Sequence, residues 1–277
     1  EGQGTSNLAS RAAIAALQDA GFKANDLDTI IVATSTPDLT FPSVATMVQG
    51  SIGMTRGFGF DIQAVCAGFV FALCNANALI ASGQAKRIMV IGAETFSQLM
   101  DWTDRSTCVL FGDGAGALIL EAEEGSGNTA DRGILATDLN SDGRYRDILY
   151  VDGGVSNQTV GHLRMEGKEV FRHAVEKLAS VMDEALSAAN LEARDIDWLV
   201  PHQANVRIID AMQKRLDDNR DIPVLRKQTV EHPFGTIKMW MGAQHFLMTR
   251  KHNVLTEMSI HVLAYNLKRM MSIRKII

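Results

Sequence analysis

Two residues of this chain stand where thiol chemistry would need them. Cys66 separates a strand-like run, Phe58 to Val65, from a helix-like run, Ala67 to Leu73. A thiol at the first turn of a helix lies among unpaired backbone N–H groups at the positive end of the helix dipole. That setting favours thiolate and so favours attack on an acyl carbon. The small neighbours Ala64, Ala67 and Gly68 leave room for a substrate. His202 closes a second apolar run, Trp198-Leu199-Val200-Pro201, which reads as a short strand feeding a helix that starts near Ala204. A histidine that meets the thiol in space supplies the base or hydrogen-bond donor that such chemistry requires. Each residue also has an ordinary structural reading, as a small buried thiol and as a strand-end histidine.

The elements that carry these residues are related by an internal copy. Ala16-Leu17, Ala20, Phe22, Ala24, Asp26-Leu27-Asp28 and Ile30-Ile31 recur as Ala185-Leu186, Ala189, Leu191, Ala193, Asp195-Ile196-Asp197 and Leu199-Val200, at a constant offset of 185 − 16 = 169 residues. An amphipathic helix, a loop and a buried strand follow in the same order in each copy, which predicts a duplicated α/β unit with helices packed on its sheets. The run Gly112-Asp113-Gly114-Ala115-Gly116-Ala117 fits a dinucleotide-binding pattern letter by letter. That pattern needs a helix opening inside it, whereas Leu118 to Ala122 read as a strand, so the glycines are read as close backbone packing beside the site.

Several longer motifs carry a family resemblance. Asp61-Ile62-Gln63-Ala64-Val65-Cys66-Ala67-Gly68-Phe69, Asp104-Arg105, Phe111-Gly112-Asp113-Gly114-Ala115-Gly116-Ala117 and Val200-Pro201-His202-Gln203-Ala204-Asn205 resemble β-ketoacyl-acyl-carrier-protein synthase III, over roughly residues 1 to 218. The resemblance implies the duplicated, thiolase-like α/β/α fold. It implies an acyltransferase of fatty acid biosynthesis that moves a short acyl group from coenzyme A to Cys66 and condenses it with malonyl carried on acyl carrier protein. His202 matches the histidine that stabilises the enolate of decarboxylation. Asn205 matches a neighbouring asparagine, and Arg105 the arginine at the nucleotide end of coenzyme A, with an ion pair to Asp101 or Asp104 as its alternative. Gly167 and Phe171 resemble residues of the pantetheine tunnel, and Arg172, Arg207, Lys214 and Arg215 a basic contact for acyl carrier protein. Phe41 matches a residue that reaches the partner's site in a homodimer. The coenzyme A thioester is a substrate; no cofactor and no metal are implied.

Composition fits a cytoplasmic enzyme. The three cysteines, at 66, 74 and 108, form neither a disulfide framework nor a CxxC metal spacing. The longest apolar stretch, Cys66 to Ala81, is broken by Asn75 and Asn77, so no membrane span is expected. The first residue is Glu1 rather than methionine, from which a fragment or a processed product is expected.

The C-terminal end departs from the pattern. Residues 1–218 hold 17 Lys and Arg against 29 Asp and Glu, net −12; residues 219–277 hold 10 against 3, net +7, and together these give the overall −5. Such a change of sign points to a segment of different origin. Where the synthase would have a strand, a His-Gly-Asn-Thr motif and a glycine-rich closing loop, the chain has Arg226 to Lys238 with Glu231-His232-Pro233. Residues 220 to 273 resemble the C-terminal end of insertion-sequence transposases with an acidic metal-binding triad. Glu231, flanked by Lys227 and Lys238, matches the last catalytic glutamate, and Thr256 to Lys268 the terminal helix. Such a site needs further carboxylates and two metal ions, so a mostly helical tail inert in DNA cleavage is expected. The organisation read from sequence is a thiolase-like half at 1–125 bearing Cys66, a partial second half at 126–218 bearing His202, and the basic tail at 219–277. Two functions follow: a synthase whose condensation step lacks the asparagine partner, or a non-catalytic hybrid left by a mobile element that keeps coenzyme A or subunit binding. Nucleic-acid binding by the tail is a third, disfavoured by the negative charge of the larger part.

Overall fold

The computed structural model describes residues 3–129, 131–202 and 204–218. The chain divides into two units, Glu1–Leu191 and Glu192–Ile277. The first contains a mixed four-stranded sheet built from β1 (Thr29–Ala33), β2 (Phe58–Ile62), β3 (Arg87–Thr95) and β4 (Asp113–Glu121), in the order β2-β1-β3-β4. The first three strands are parallel and β4 runs antiparallel to β3. Helices α1 (Thr5–Ala20) and α2 (Val44–Ser51) cover one face and α3 (Gly68–Ala81) the other.

This layering explains why β1 reads as an unbroken apolar run. Ile30 and Val32 pack toward α1 and α2 while Ile31 and Ala33 pack toward α3, so successive side chains are buried on opposite faces. Ala9, Ala13 and Leu17 form the matching stripe of α1, four residues apart. The helix stops at Gly21, whose φ of +70° caps it in the left-handed region. α3 buries only the narrow stripe Gly68, Ala72 and Ala76.

Asp28 ties the entry ends of the parallel strands together. Its carboxylate accepts from the backbone N–H groups of Lys86 (2.8 Å) and Arg87 (3.0 Å). Its own N–H donates to the Arg87 carbonyl (2.9 Å), and its carbonyl accepts from Phe58 (3.1 Å). Gly57, at φ +77°, brings the chain so close that a Cβ there would fall 2.2 Å from the Asp28 carbonyl oxygen, which excludes any larger residue. The Lys86 N–H foremost holds the carboxyl below its ordinary value. A lowered folded pKa stabilises the fold above the unfolded value, about 3.9, and the contribution fades as pH falls through the folded pKa. Asp28→Ala strips two N–H groups of a charged acceptor and should cost about 1–3 kcal/mol at neutral pH. Urea melts should show that loss at pH 7 and a smaller difference below about pH 3.

Beyond β4, a hairpin of β5 (Leu149–Val151) and β6 (Leu163–Met165) leads into α4 (Gly167–Ala188). Phe96, Met100 and Leu163 form a separate small core beneath it, and the Leu163 N–H donates to the Leu99 carbonyl (2.9 Å).

The internal copy is visible in local geometry. A 3-10 turn at Ala24–Asp26 recurs at Ala193–Asp195, offset by 169. Asp26 accepts from the Lys23 N–H and Asp195 from the Glu192 N–H, both at 2.8 Å. Gly21 and its counterpart Asn190 both take positive φ, +70° and +53°. The copy ends there, because the strand expected at Trp198–Pro201 is not formed. Trp198 and Val200 are 60% and 73% exposed, where Ile30 and Ile31 are fully buried. A strand exists only by pairing, and no described residue pairs with this segment. The helix expected near Ala204 is α5 (Val206–Asp218), with Asn205 accepting from the Arg207 N–H at 2.9 Å. Residues 219–277, with Glu231 and the transposase-like segment, lie outside the described residues.

Candidate active site

The carboxyl ends of the parallel strands open into one cleft of roughly 1030 Å³. Its walls are Ser35–Asp38 after β1, Gln63–Ala67 after β2 and Phe96, Gln98 and Leu99 after β3, closed by Phe111 and by the hairpin between Leu149 and Leu163. Open α/β sheets bind ligands at this end of their strands. Cys66 stands on the cleft wall with its surface exposed to it.

Local structure explains that placement. β2 ends at Ile62, and a 3-10 turn, Val65–Ala67, intervenes before α3 begins at Gly68. Val65 takes φ +47°, costly for a β-branched residue, so the elbow holds a strained backbone that its surroundings must enforce. Gly68 lets α3 start close against the sheet: a Cβ there would meet the Ala33 side chain at 3.2 Å.

The electrostatics reverse the expectation of a ready thiolate. Burial pushes the Cys66 thiol up, the negative charge of Glu94 adds to the rise, and the residue's own N–H opposes both. The turn places Cys66 ahead of the first helical residue, where the dipole has weakened. The resting group is therefore a thiol at neutral pH, opened to the cleft but packed closely enough for burial to dominate. Alkylation of Cys66 by iodoacetamide, followed by peptide mass mapping against pH, should still be accelerating at about pH 9, where an ordinary cysteine near 8.5 has largely levelled off. A plateau by about pH 8 would contradict this reading.

Other expected site residues fall in several places. Arg105 is exposed on the turn after β3 and makes no ion pair among the described residues, so the alternative of a pair with Asp101 or Asp104 is not what holds it. Asp101 instead faces Arg164 at 3.6 Å. Asp104 accepts from the Ser106 N–H (2.9 Å), the Ser106 hydroxyl (2.6 Å) and the Thr107 hydroxyl (2.8 Å), which folds the turn that projects Arg105. Gly167 opens α4 and Phe171 lies half-buried on it; neither is in the cleft wall. Arg172 pairs with Glu169 at 2.5 Å. Arg207, Lys214 and Arg215 are exposed on α5, and Phe41 is 82% exposed after β1. His202 precedes α5 in the second unit with an exposed surface, and burial lowers its imidazole below the ordinary value, favouring the neutral ring.

The glycines of 112–116 correct another expectation. Gly114 and Gly116 lie inside β4, as the strand reading requires, but a Cβ at Gly112, Gly114 or Gly116 would meet nothing within 4 Å. Close backbone packing does not account for them among the described residues.

The synthase III family, 3-oxoacyl-[acyl-carrier-protein] synthase III, matches residues 60–143 and its C-terminal part residues 186–229. The chain is 70% identical over 216 residues to the beta-ketoacyl-[acyl-carrier-protein] synthase III of Ruegeria pomeroyi, covering 78% of this chain and 67% of that protein. It belongs to the synthase III family. The Cereibacter sphaeroides synthase III is 68% identical over 228 residues, 82% of this chain and 71% of that one. The crystal structure of the Aquifex aeolicus synthase III matches with a TM-score of 0.72 at 40% identity, covering 78% of this chain and 67% of the other. Synthase III of Pseudomonas aeruginosa gives 0.72 at 39%, covering 78% and 65%. The fold is thus thiolase-like α/β, and the chain spans about two thirds of its relatives' length. The family match runs to residue 229, past the boundary at 218 drawn from charge, and nothing in these matches supports a transposase segment.

Sequence reasoning missed Glu94, Ser35, Thr36 and the hairpin wall. Glu94 left one signal, a lone acid closing the apolar run Ile88 to Ala93 at a strand's carboxyl end. The hairpin left none, since it lies in a stretch without clear periodicity.

Proposed function

We propose that this chain is by descent a synthase III condensing acyltransferase of fatty acid biosynthesis, which takes a short acyl group from coenzyme A onto Cys66 and is impaired in the following condensation with malonyl-acyl carrier protein. The observation that carries this is Cys66 at a strained strand-to-helix elbow, facing a cleft at the strand ends, in a chain 70% identical to a synthase III.

In this reading the Cys66 thiol loses its proton and its sulfur attacks the thioester carbonyl. The carbon–sulfur bond to coenzyme A breaks, and the coenzyme A thiolate takes up the proton. Neutral His202 then donates a hydrogen bond to the malonyl thioester oxygen as carbon dioxide leaves. Arg105 holds the nucleotide end of coenzyme A, Gly167 and Phe171 flank pantetheine, and Asn205 serves at the cap of α5. Arg172, Arg207, Lys214 and Arg215 contact acyl carrier protein, and Phe41 reaches a second copy of the chain. The reaction requires no metal or further cofactor, and three cysteines free of disulfides support a cytoplasmic enzyme in this reading. The absence of a His-Gly-Asn-Thr segment from the sequence leaves His202 without its asparagine partner. Intact mass after incubation with acetyl coenzyme A tests the acylation half directly: a gain of one acetyl group on Cys66 supports the reading, and no gain at any pH refutes it.

A further inference from the structure

Glu94 is a half-buried acid tied to the part of the cleft wall that Ser35 and Thr36 form. Along β3, Ile88 and Val90 pack toward α3, and a Cβ at Gly92 would meet the Phe69 ring in the first turn of α3 at 3.2 Å. Glu94, two residues further on, continues that face at the carboxyl end of the strand, beside the start of α3. Its carboxylate accepts from the Ser35 N–H (2.8 Å) and the Thr36 hydroxyl (2.6 Å), and both residues line the cleft with Cys66. The Thr36 oxygen also accepts from the Thr95 N–H (2.8 Å), and the Thr95 hydroxyl meets that of Thr5 at 2.8 Å, with Thr5 and Thr95 both buried.

We infer that Glu94 is a positioning residue: it fixes the Ser35–Thr36 wall of the cleft that Cys66 lines, and it stands as an anion beside the start of α3, next to the nucleophile.

The groups facing Glu94 are hydroxyls and N–H donors from the end of β1 and, through Thr36, from α1. Neighbouring acids are engaged elsewhere. Asp113 of β4 accepts from the Ser97 N–H and hydroxyl, Asp38 from the Ser6 N–H, and Asp61 from the Val44 and Ala45 N–H groups. Burial foremost raises the Cys66 thiol, and the negative charge of Glu94 adds to that rise. Burial raises the Glu94 carboxyl itself, against the pull of the Thr36 hydroxyl, so its charge develops above the ordinary carboxylate range and is in place where thiols titrate. The inference needs only the thiol and the wall, not the acyl transfer proposed above.

Glu94→Gln keeps the shape and removes the charge. Iodoacetamide alkylation of Cys66 in the full chain, followed by peptide mapping from about pH 6 to pH 10 with Cys108 as internal reference, should show the midpoint moved down. The rate at about pH 7.5 should rise roughly three- to tenfold. A midpoint unchanged or moved up overturns the inference. Should that variant fail to fold, Thr36→Val decides, because it cuts the tie to the wall and leaves the charge. Its limiting alkylation rate at high pH should change, as a wall no longer tied to Glu94 alters access to Cys66, with the midpoint not lowered; a limiting rate equal to the parent's, or a lowered midpoint, overturns the inference. Acetyl coenzyme A labelling of the same variants is scored separately, so failure of the catalytic reading and failure of this one are distinguishable.

Discussion

Cys66→Ser should lose acyl labelling from acetyl coenzyme A by a factor on the order of 10³ or more, because a serine hydroxyl at this elbow has no adjacent base of its own to activate it. The elbow keeps the side chain on the cleft wall after the change, so the loss reads chemistry and not folding. The other two thiols are controls within the same molecule. Cys74 lies on α3 with its sulfur 3.4 Å from the Thr137 hydroxyl, and Cys108 packs against the core beneath the hairpin; neither lines the cleft. Both should stay unlabelled in the parent and in the variant. Labelling of Cys66→Ser at the parental rate would remove Cys66 from the mechanism. Because burial and Glu94 hold the parent thiol protonated, its labelling should also speed up with pH, while the serine variant stays flat.

What was legible in the sequence was what short-range physics dictates. The buried strand at Ile30–Ile31 and the strand-elbow-helix at Cys66 are set by residues close in sequence, and they stand where the pattern put them. The duplication was legible for the same reason, down to the Asp26 and Asp195 turns that match hydrogen bond for hydrogen bond. Its strand was not, because Trp198–Pro201 has the composition of β1 but no paired neighbour among the described residues, and composition cannot supply a ladder. The thiol's sign was misread because the dipole is a local feature, whereas burial and the charge of Glu94, 28 positions away (94 − 66), are tertiary. The hairpin wall was invisible on the same ground, being held by the small core of Phe96, Met100 and Leu163 gathered from distant positions.

Condensation should be undetectable in this chain under conditions where acylation is measurable. Decarboxylation of malonyl thioester places negative charge on the thioester oxygen, and stabilising it takes donors already aimed at that oxygen. His202 offers one N–H, and its lowered pKa keeps the ring neutral at pH 7, able to donate once and unable to add a cation's charge. The sequence from Arg226 to Lys238, where the resemblance calls for His-Gly-Asn-Thr, holds no asparagine to supply the second donor. Loss of one such donor typically costs about 10²- to 10³-fold, enough to take a slow condensation below detection. The assay is acetoacetyl-carrier product by mass spectrometry after incubation with acetyl coenzyme A and malonyl-acyl carrier protein, run beside the acyl-Cys66 measurement on the same sample. Replacing residues 219–277 by the synthase segment that bears the motif should restore product, where no single substitution in residues 1–218 does. Product from the unaltered chain would overturn the prediction. If His202→Ala then abolished that product, His202 would be acting with a donor other than the missing asparagine.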